Sequence, residues 1–340
     1  MKSHHHSVDR FIRLGIVTVL AVYLLIFVGG VVRASGSGMG CPDWPTCFGR
    51  LIPPLSEADL PADYHQRYLG YGDNAFNVLK TWTEYLNRLL GVAIGGLILG
   101  TLIRAHPLRR RFPVVFRLAT AAFLLVGFQG WLGSRVVASE LKPVLISAHM
   151  GVAFLIVLLL LLAVTLAARD RLPAADWLRL GARWQKVLGL ALGLTLLQMT
   201  MGTQIREAID GITNAGLIAE RSIWRDQFPL IFYVHRSFSS IILFTNLWIA
   251  YRLMQAMPRG SVFRWVAYLL AGLVSAAVLS GITLDRLGFP AMAQPLHLLL
   301  ANLIFGTQFV LYLSIRLQRL SPSTKDTSPA SVAERLPPLT

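Results

Sequence analysis

Eight long apolar runs recur along the 340-residue chain, at 11–32, 79–103, 114–134, 145–167, 184–205, 230–253, 263–283 and 292–315. Each has at least 21 residues, enough for a helix to cross a hydrocarbon core of about 30 Å. Apolar side chains occupy every face of these runs rather than one stripe, the mark of helices surrounded by apolar material. In lipid a backbone must satisfy its own hydrogen bonds, so each run predicts an α-helix. The fold class that follows is an all-α integral membrane protein with eight transmembrane helices.

Composition agrees with the pattern. Hydrophobic residues make up 54% of the chain and charged residues 14%, against about 25% charged in soluble proteins. The net charge of +15 would suit nucleic acid, but its placement argues for no nucleic-acid partner. Counting charges at span ends with the adjoining loop, the loop set that includes both termini holds 20 Lys and Arg against 5 Asp and Glu. The other set holds 10 against 11. Basic loops remain in the cytoplasm, so both termini are expected there. The first apolar run lacks a cleavage pattern and no Arg/Ser-rich transit segment is evident, which favours a bacterial plasma (inner) membrane. Membrane lipid is then a partner of the whole surface, with anionic headgroups near the basic loops.

The spans echo one another at a distance of half the chain. Glu84-Tyr-Leu-Asn87-Arg88 in the second span aligns with Phe232-Tyr-Val-His235-Arg236 in the sixth, and His149 in the fourth with His297 in the eighth. The odd spans end in glycine then arginine: Gly29 and Arg33, Gly130 and Arg135, Gly202 and Arg206, Gly281 and Arg286. Four spans per half make parallel repeats. The expectation is two pseudo-symmetric four-helix bundles, 1–167 and 184–319, with a cytoplasmic linker at 168–183 and a disordered tail at 320–340. The outer loop at 33–80 is long enough to fold, and 57–71 predicts a helix lying on the membrane surface.

Only His149, His235 and His297 of the eight histidines lie within spans, all on even-numbered helices within two turns of the outer end. Isolated intramembrane histidines serve as interhelical hydrogen-bond partners or proton relays. Three at one depth, at duplicated positions, suit iron ligation in haem, where facing imidazoles bind one metal from both sides. His235 with His297 makes a complete pair. The expected partner position of His149 is held by Asn87, whose amide is a poor iron ligand, so the site there is expected to be five-coordinate, to have another ligand or to be transiently occupied. Arginines at the outer ends suit haem carboxylates as bidentate donors, although snorkelling anchors at the interface have the same composition. Glu84 is the only acidic residue in a span; it reads either as an ion pair with Arg88 one turn on or as a reacting or charge-stabilising group beside His149. Cys41 and Cys47, the only cysteines, lie on the outer side where disulfides persist, as a structural staple or as a redox relay.

These residues resemble the haem A synthase family. The resemblance rests on Gly29-Gly-Val-Val-Arg33-Ala-Ser-Gly-Ser-Gly-Met-Gly-Cys41-Pro-Asp-Trp-Pro-Thr-Cys47, on Glu84-x-x-Asn87-Arg88, on His149-Met-Gly, on His235-Arg236 and on His297. It extends over all eight spans. It implies an oxidoreductase that turns the C8 methyl of haem O into the formyl of haem A by successive hydroxylations, for cytochrome oxidase biogenesis. The second half would hold a haem b cofactor through His235 and His297, with Arg206, Arg236 and Arg286 on its carboxylates. The first half would bind the substrate haem through His149, Asn87, Arg88, Arg33 and Arg135, with Glu84 taking part in the reaction and the cysteine pair as a redox relay. The family pattern has His where Asn87 stands. Haem O synthase, cytochrome oxidase assembly factors and a second copy of the chain are the implied partners. Two competing readings use the same histidines: a b-type membrane cytochrome passing electrons between quinol and the outer disulfide, and a haem-handling transporter.

Overall fold

A computed structural model describes residues 2–68, 76–171, 182–214 and 228–320. Among these, eight helices are long and apolar enough to cross a membrane. They are α1 (Lys2–Ala34), α2 (Val78–Ala105), α3 (Pro113–Ala138), α4 (Pro143–Ala168), α5 (Ala182–Asn214), α6 (Leu230–Ala256), α7 (Val262–Arg286) and α8 (Ala293–Leu320). The ends follow local chemistry. Proline opens α3 and α4, where its fixed φ suits a helix and its missing N–H costs nothing. The Asn77 side chain accepts the Lys80 N–H at the start of α2, and Ser261 accepts the Phe263 N–H at the start of α7, satisfying donors that a helix leaves open.

Helices α1 to α4 pack in a ring in which each touches the next and α4 returns to α1; α5 to α8 do the same. The rings join mainly through α8, which also packs on α1 and α4. Glycine permits that approach: a Cβ at Gly30 would stand 2.8 Å from Pro295, and one at Gly306 would overlap the Tyr23 hydroxyl. Phe154 of α4 meets Phe305 of α8 edge-on at 5.0 Å between centroids. Accordingly 56% of the apolar stretch of α8 is buried, against 17–33% for the other helices. On the outer faces Val92, Leu124, Phe244 and Trp265 are exposed, an arrangement suited to lipid.

Several expectations change. The surface helix over 57–71 is instead a 3-10 turn, Glu57–Asp59, and a short helix, Tyr64–Arg67; its residues beyond 68 lie outside the described set. Pro61 separates the two, and Leu60 before it is extended at φ −71° and ψ 148°, as sterics require of a residue preceding proline. Helix α5 runs on to Asn214, nine residues past the predicted span end, because Ile209 packs on a cluster of Phe228, Phe232 and Phe289. A 3-10 turn at Arg169–Arg171 follows α4 and α5 opens at Ala182, while 172–181 of the expected linker lie outside the described residues. The tail from 321 onward lies outside them too.

Candidate functional site

Helices α6 and α8 place His235 and His297 on one cavity of about 470 Å³, within the range of pockets that enclose a small molecule or cofactor. Their ring centroids are 6.3 Å apart with planes at 68°. An imidazole nitrogen binds a first-row metal at about 2.0–2.1 Å, and about 1.1 Å more reaches the ring centre, so rings clasping one ion sit about 6.2–6.4 Å apart. The observed spacing fits. Among the described residues no group of three or more His, Cys, Asp or Glu is placed to hold an ion.

The second contacts of His297 set its ring. Its Nδ1 lies 3.1 Å from the Ala277 carbonyl and 2.8 Å from Ser280 Oγ. Donation from Nδ1–H to the carbonyl leaves Nε2 as a bare lone pair, the tautomer a metal requires. The Gln198 amide donates to the His235 carbonyl at 3.0 Å and its nitrogen also lies 3.4 Å from His235 Nε2, while Nδ1 is buried with no hydrogen-bond partner. In the first half Gln129 donates to the His149 carbonyl at 2.8 Å, and His149 Nδ1 is likewise buried without a hydrogen-bond partner.

A glycine on the neighbouring odd helix backs each of the three histidines and Asn87. A Cβ at Gly133 would lie 3.4 Å from the His149 ring, at Gly202 3.5 Å from His235, at Gly281 3.3 Å from His297, and at Gly29 4.0 Å from Asn87 Oδ1. Asn87 thus occupies the same kind of niche as the three histidines, and its Oδ1 is buried without a hydrogen-bond partner. Gly130, picked from the sequence for α3, faces open space; Gly133 takes its place. Sequence reading also missed Gln129, Gln198 and Ser280. The repeated Gln-x-x-x-Gly at 129–133 and 198–202 was a visible signal for the glutamines.

The arginines divide. Arg33 of α1 and Arg206 of α5 both line the His235–His297 cavity. Arg206 donates from Nη1 to Met150 Sδ, bridging to α4, and its Nε is buried without a hydrogen-bond partner. A buried guanidinium with spare donors is a ready partner for a carboxylate. Arg236 also lines the cavity, 3.4 Å from Asp285. Arg286 is 70% exposed beside Asp285, and Arg135 is exposed.

Glu84 and Arg88 do different work from the other charges. The Glu84 carboxylate, 4% exposed, accepts the Cys41 N–H at 2.8 Å and the Arg88 guanidinium at 2.5 Å. Arg88 also donates to the carbonyls of Asp43, Thr46 and Cys41 at 2.7–3.2 Å. Thr81 donates to the Gly40 carbonyl at 2.8 Å. Together they dock the Cys41–Cys47 loop on the outer end of α2. The two cysteines form a disulfide and are fully buried, in a cluster with Phe48, Tyr64, Tyr68 and Phe76. Asp43 closes the loop from within, accepting from the Phe48 and Gly49 amides and the Thr46 hydroxyl.

Residues 12–309 match the COX15-CtaA family, described as cytochrome oxidase assembly protein. The chain is 30% identical over 291 residues to a heme A synthase of Azorhizobium caulinodans, covering 77% of this chain and 81% of the relative. It is 27% identical over 342 residues to a heme A synthase of Bradyrhizobium sp., covering 88% of each. A match to a heme A synthase of Shewanella oneidensis, 29% over 163 residues, spans about half of each chain.

Proposed function

Because the chain belongs to the COX15-CtaA family of cytochrome oxidase assembly proteins, we propose that it is a haem A synthase, a multi-pass membrane oxidoreductase that converts haem O to haem A. In that conversion the C8 methyl exchanges two hydrogens for one oxygen and becomes a formyl group, by successive hydroxylations. The observation that carries the reading is the approach of the His235 and His297 rings to 6.3 Å between centroids beside one cavity, with His297 Nδ1 3.1 Å from a backbone carbonyl.

On this reading His235 and His297 hold a resident haem b, and Arg33 and Arg206 take its carboxylates, with Arg236 near the mouth. Haem b bound there supplies a one-electron redox centre. With both His235 and His297 engaged, haem b would serve there as an electron carrier, and the reaction would belong to the first half. There His149 takes the iron of the substrate haem from one side and Asn87 occupies the other without competing as a strong ligand. Glu84, one turn before Asn87, serves as fixed negative charge. Its oxygens are engaged by Arg88 and the Cys41 amide, which favours a stationary carboxylate over a proton carrier. Arg88 is occupied with loop carbonyls, so substrate carboxylates fall to Arg135 at the outer end of α3. The buried disulfide acts as a staple: thiol exchange needs access to sulfur, and both cysteines are fully covered. The parallel-repeat reading of 1–167 and 184–319 is supported by the matched ring packing and the glycine-backed ligand niches. Localisation to a bacterial plasma membrane with both termini inside rests on the loop charges.

The test is expression in a membrane that makes haem O but no haem A. Extraction of haem A from cells carrying the chain supports the assignment; bound haem b with haem O left unconverted refutes it. His235→Ala and His297→Ala are each expected to abolish the low-spin haem b spectrum of the purified protein. An unchanged spectrum in both would remove the ligand assignment.

A further inference from the structure

We propose that Asn246 and Gln308 form a polar crossbar that fixes the register of α6 against α8 and so keeps His235 and His297 facing each other. The inference rests on the reading of those histidines as haem ligands. Gln308 Nε2 donates to Asn246 Oδ1 at 2.7 Å, and Asn246 Nδ2 donates to the Ile242 carbonyl at 2.8 Å. The second bond settles which end of the Asn246 amide accepts. Both side chains are at most 1% exposed, within the apolar cluster that includes Leu188, Ile249, Leu270 and Leu311.

The spacing ties the pair to the histidines. Asn246 follows His235 by 11 residues, and Gln308 follows His297 by 11. At about 100° per residue this is three turns with about 20° left over, so each amide lies on the face of its own histidine, about 16.5 Å along the helix. A slip of one residue would turn either face by about 100° and part the amides. Apolar packing tolerates such slips, whereas a hydrogen bond in a dry interior does not. Burying amides among leucines costs free energy, and a fixed register is the best-attested return.

Among the described residues the equivalent positions of α2 and α4 carry no such pair; the buried polar bond of the first half, Thr18–Thr101 at 2.8 Å, joins α1 to α2 instead. Eleven residues after Asn87 and His149 stand Ile98 and Leu160, 1% and 0% exposed, in one apolar cluster. A half that holds a permanent cofactor has a directional bond at this level. A half that must admit and release a haem has a contact free to adjust.

The experiment uses the full chain purified with its haem. Gln308→Asn shortens the side chain by one methylene and breaks the bond while keeping an amide, so folding is spared. Haem b per protein, from the pyridine haemochrome, and the low-spin ferric g-values are recorded. Gln308→Asn is expected to lower occupancy three- to tenfold and broaden or shift the largest g-value. The exchanged pair Asn246→Gln with Gln308→Asn restores the combined length, and both readouts should return to within twofold of the parent. Wild-type occupancy and g-values in Gln308→Asn would overturn the crossbar, as would failure of the exchanged pair to recover. His235→Ala and His297→Ala run in parallel separate the two ideas. If they lose haem b while Gln308→Asn changes nothing, only the crossbar falls; if they keep it, the ligand reading itself falls.

Discussion

Replacing Gly40 by alanine tests the docking of the cysteine loop on α2. A Cβ there would stand 2.4 Å from the Lys80 carbonyl oxygen and 2.6–2.8 Å from further backbone atoms of Lys80 and Thr81. Backbone cannot swing aside as a side-chain tip does, so the loop must retreat by at least about 0.6 Å to reach a tolerable contact. The same retreat stretches the Thr81–Gly40 and Cys41–Glu84 bonds, both 2.8 Å, to about 3.4 Å, beyond the usual range. One neutral bond and one bond to a charged group then weaken, together worth about 2–4.5 kcal/mol. That lowers the free energy of local opening, so the Cys41 amide should exchange its hydrogen about 30- to 2,000-fold faster. Hydrogen-exchange mass spectrometry on a peptide that begins at least two residues before Cys41 and runs to position 50 measures this. Haem b at His235 and His297 should be retained, because both ligands lie on α6 and α8 while the loop is docked on α2 through Thr81, Glu84 and Arg88, and conversion of haem O should fall. Exchange within threefold of the parent would refute the docking argument, and simultaneous loss of haem b would refute the independence of the two halves.

Asn87→His should place a second imidazole opposite His149 and convert the first-half haem to a low-spin species; an unchanged absorption spectrum would mean that position 87 does not face iron. Glu84→Ala removes the acceptor for both Arg88 and the Cys41 amide, and is expected to retain haem b but lower haem A yield on extraction; full yield would leave Glu84 no part in the reaction. Arg206→Gln keeps a donor but loses the charge that the cavity offers a carboxylate. Haem b should then dissociate at least tenfold faster in an apomyoglobin capture assay, and an unchanged rate would assign the carboxylates elsewhere.

How legible the protein is depends on the range over which each property is set. Eight helices are readable because crossing a membrane is a local demand: each run must satisfy its own backbone and shed its own charge, so length and composition suffice. The histidines are readable for a related reason, since a polar group in an apolar run is expensive and stands out. The loop at 57–71 was misjudged where a local signal, Pro61, outweighed composition. The end of α5 was misjudged because aromatic residues distant in sequence, Phe228 and Phe289, extend its apolar surroundings. Gly130 and Gly133 have equal standing as letters, and only packing decides which one backs His149.

Sequence alone therefore determined the class, the number of spans and which polar residues stand out within them, all consequences of what one segment must do in lipid. Tertiary structure decided how they are shared. Glu84 and Arg88 turn to the cysteine loop, Arg33 of the first half lines the cavity of the second, and Asn246 reaches Gln308 across 62 residues. Such partnerships follow from helix rotation and closest approach, which are fixed by side chains meeting across the bundle and leave no periodic trace in either segment alone.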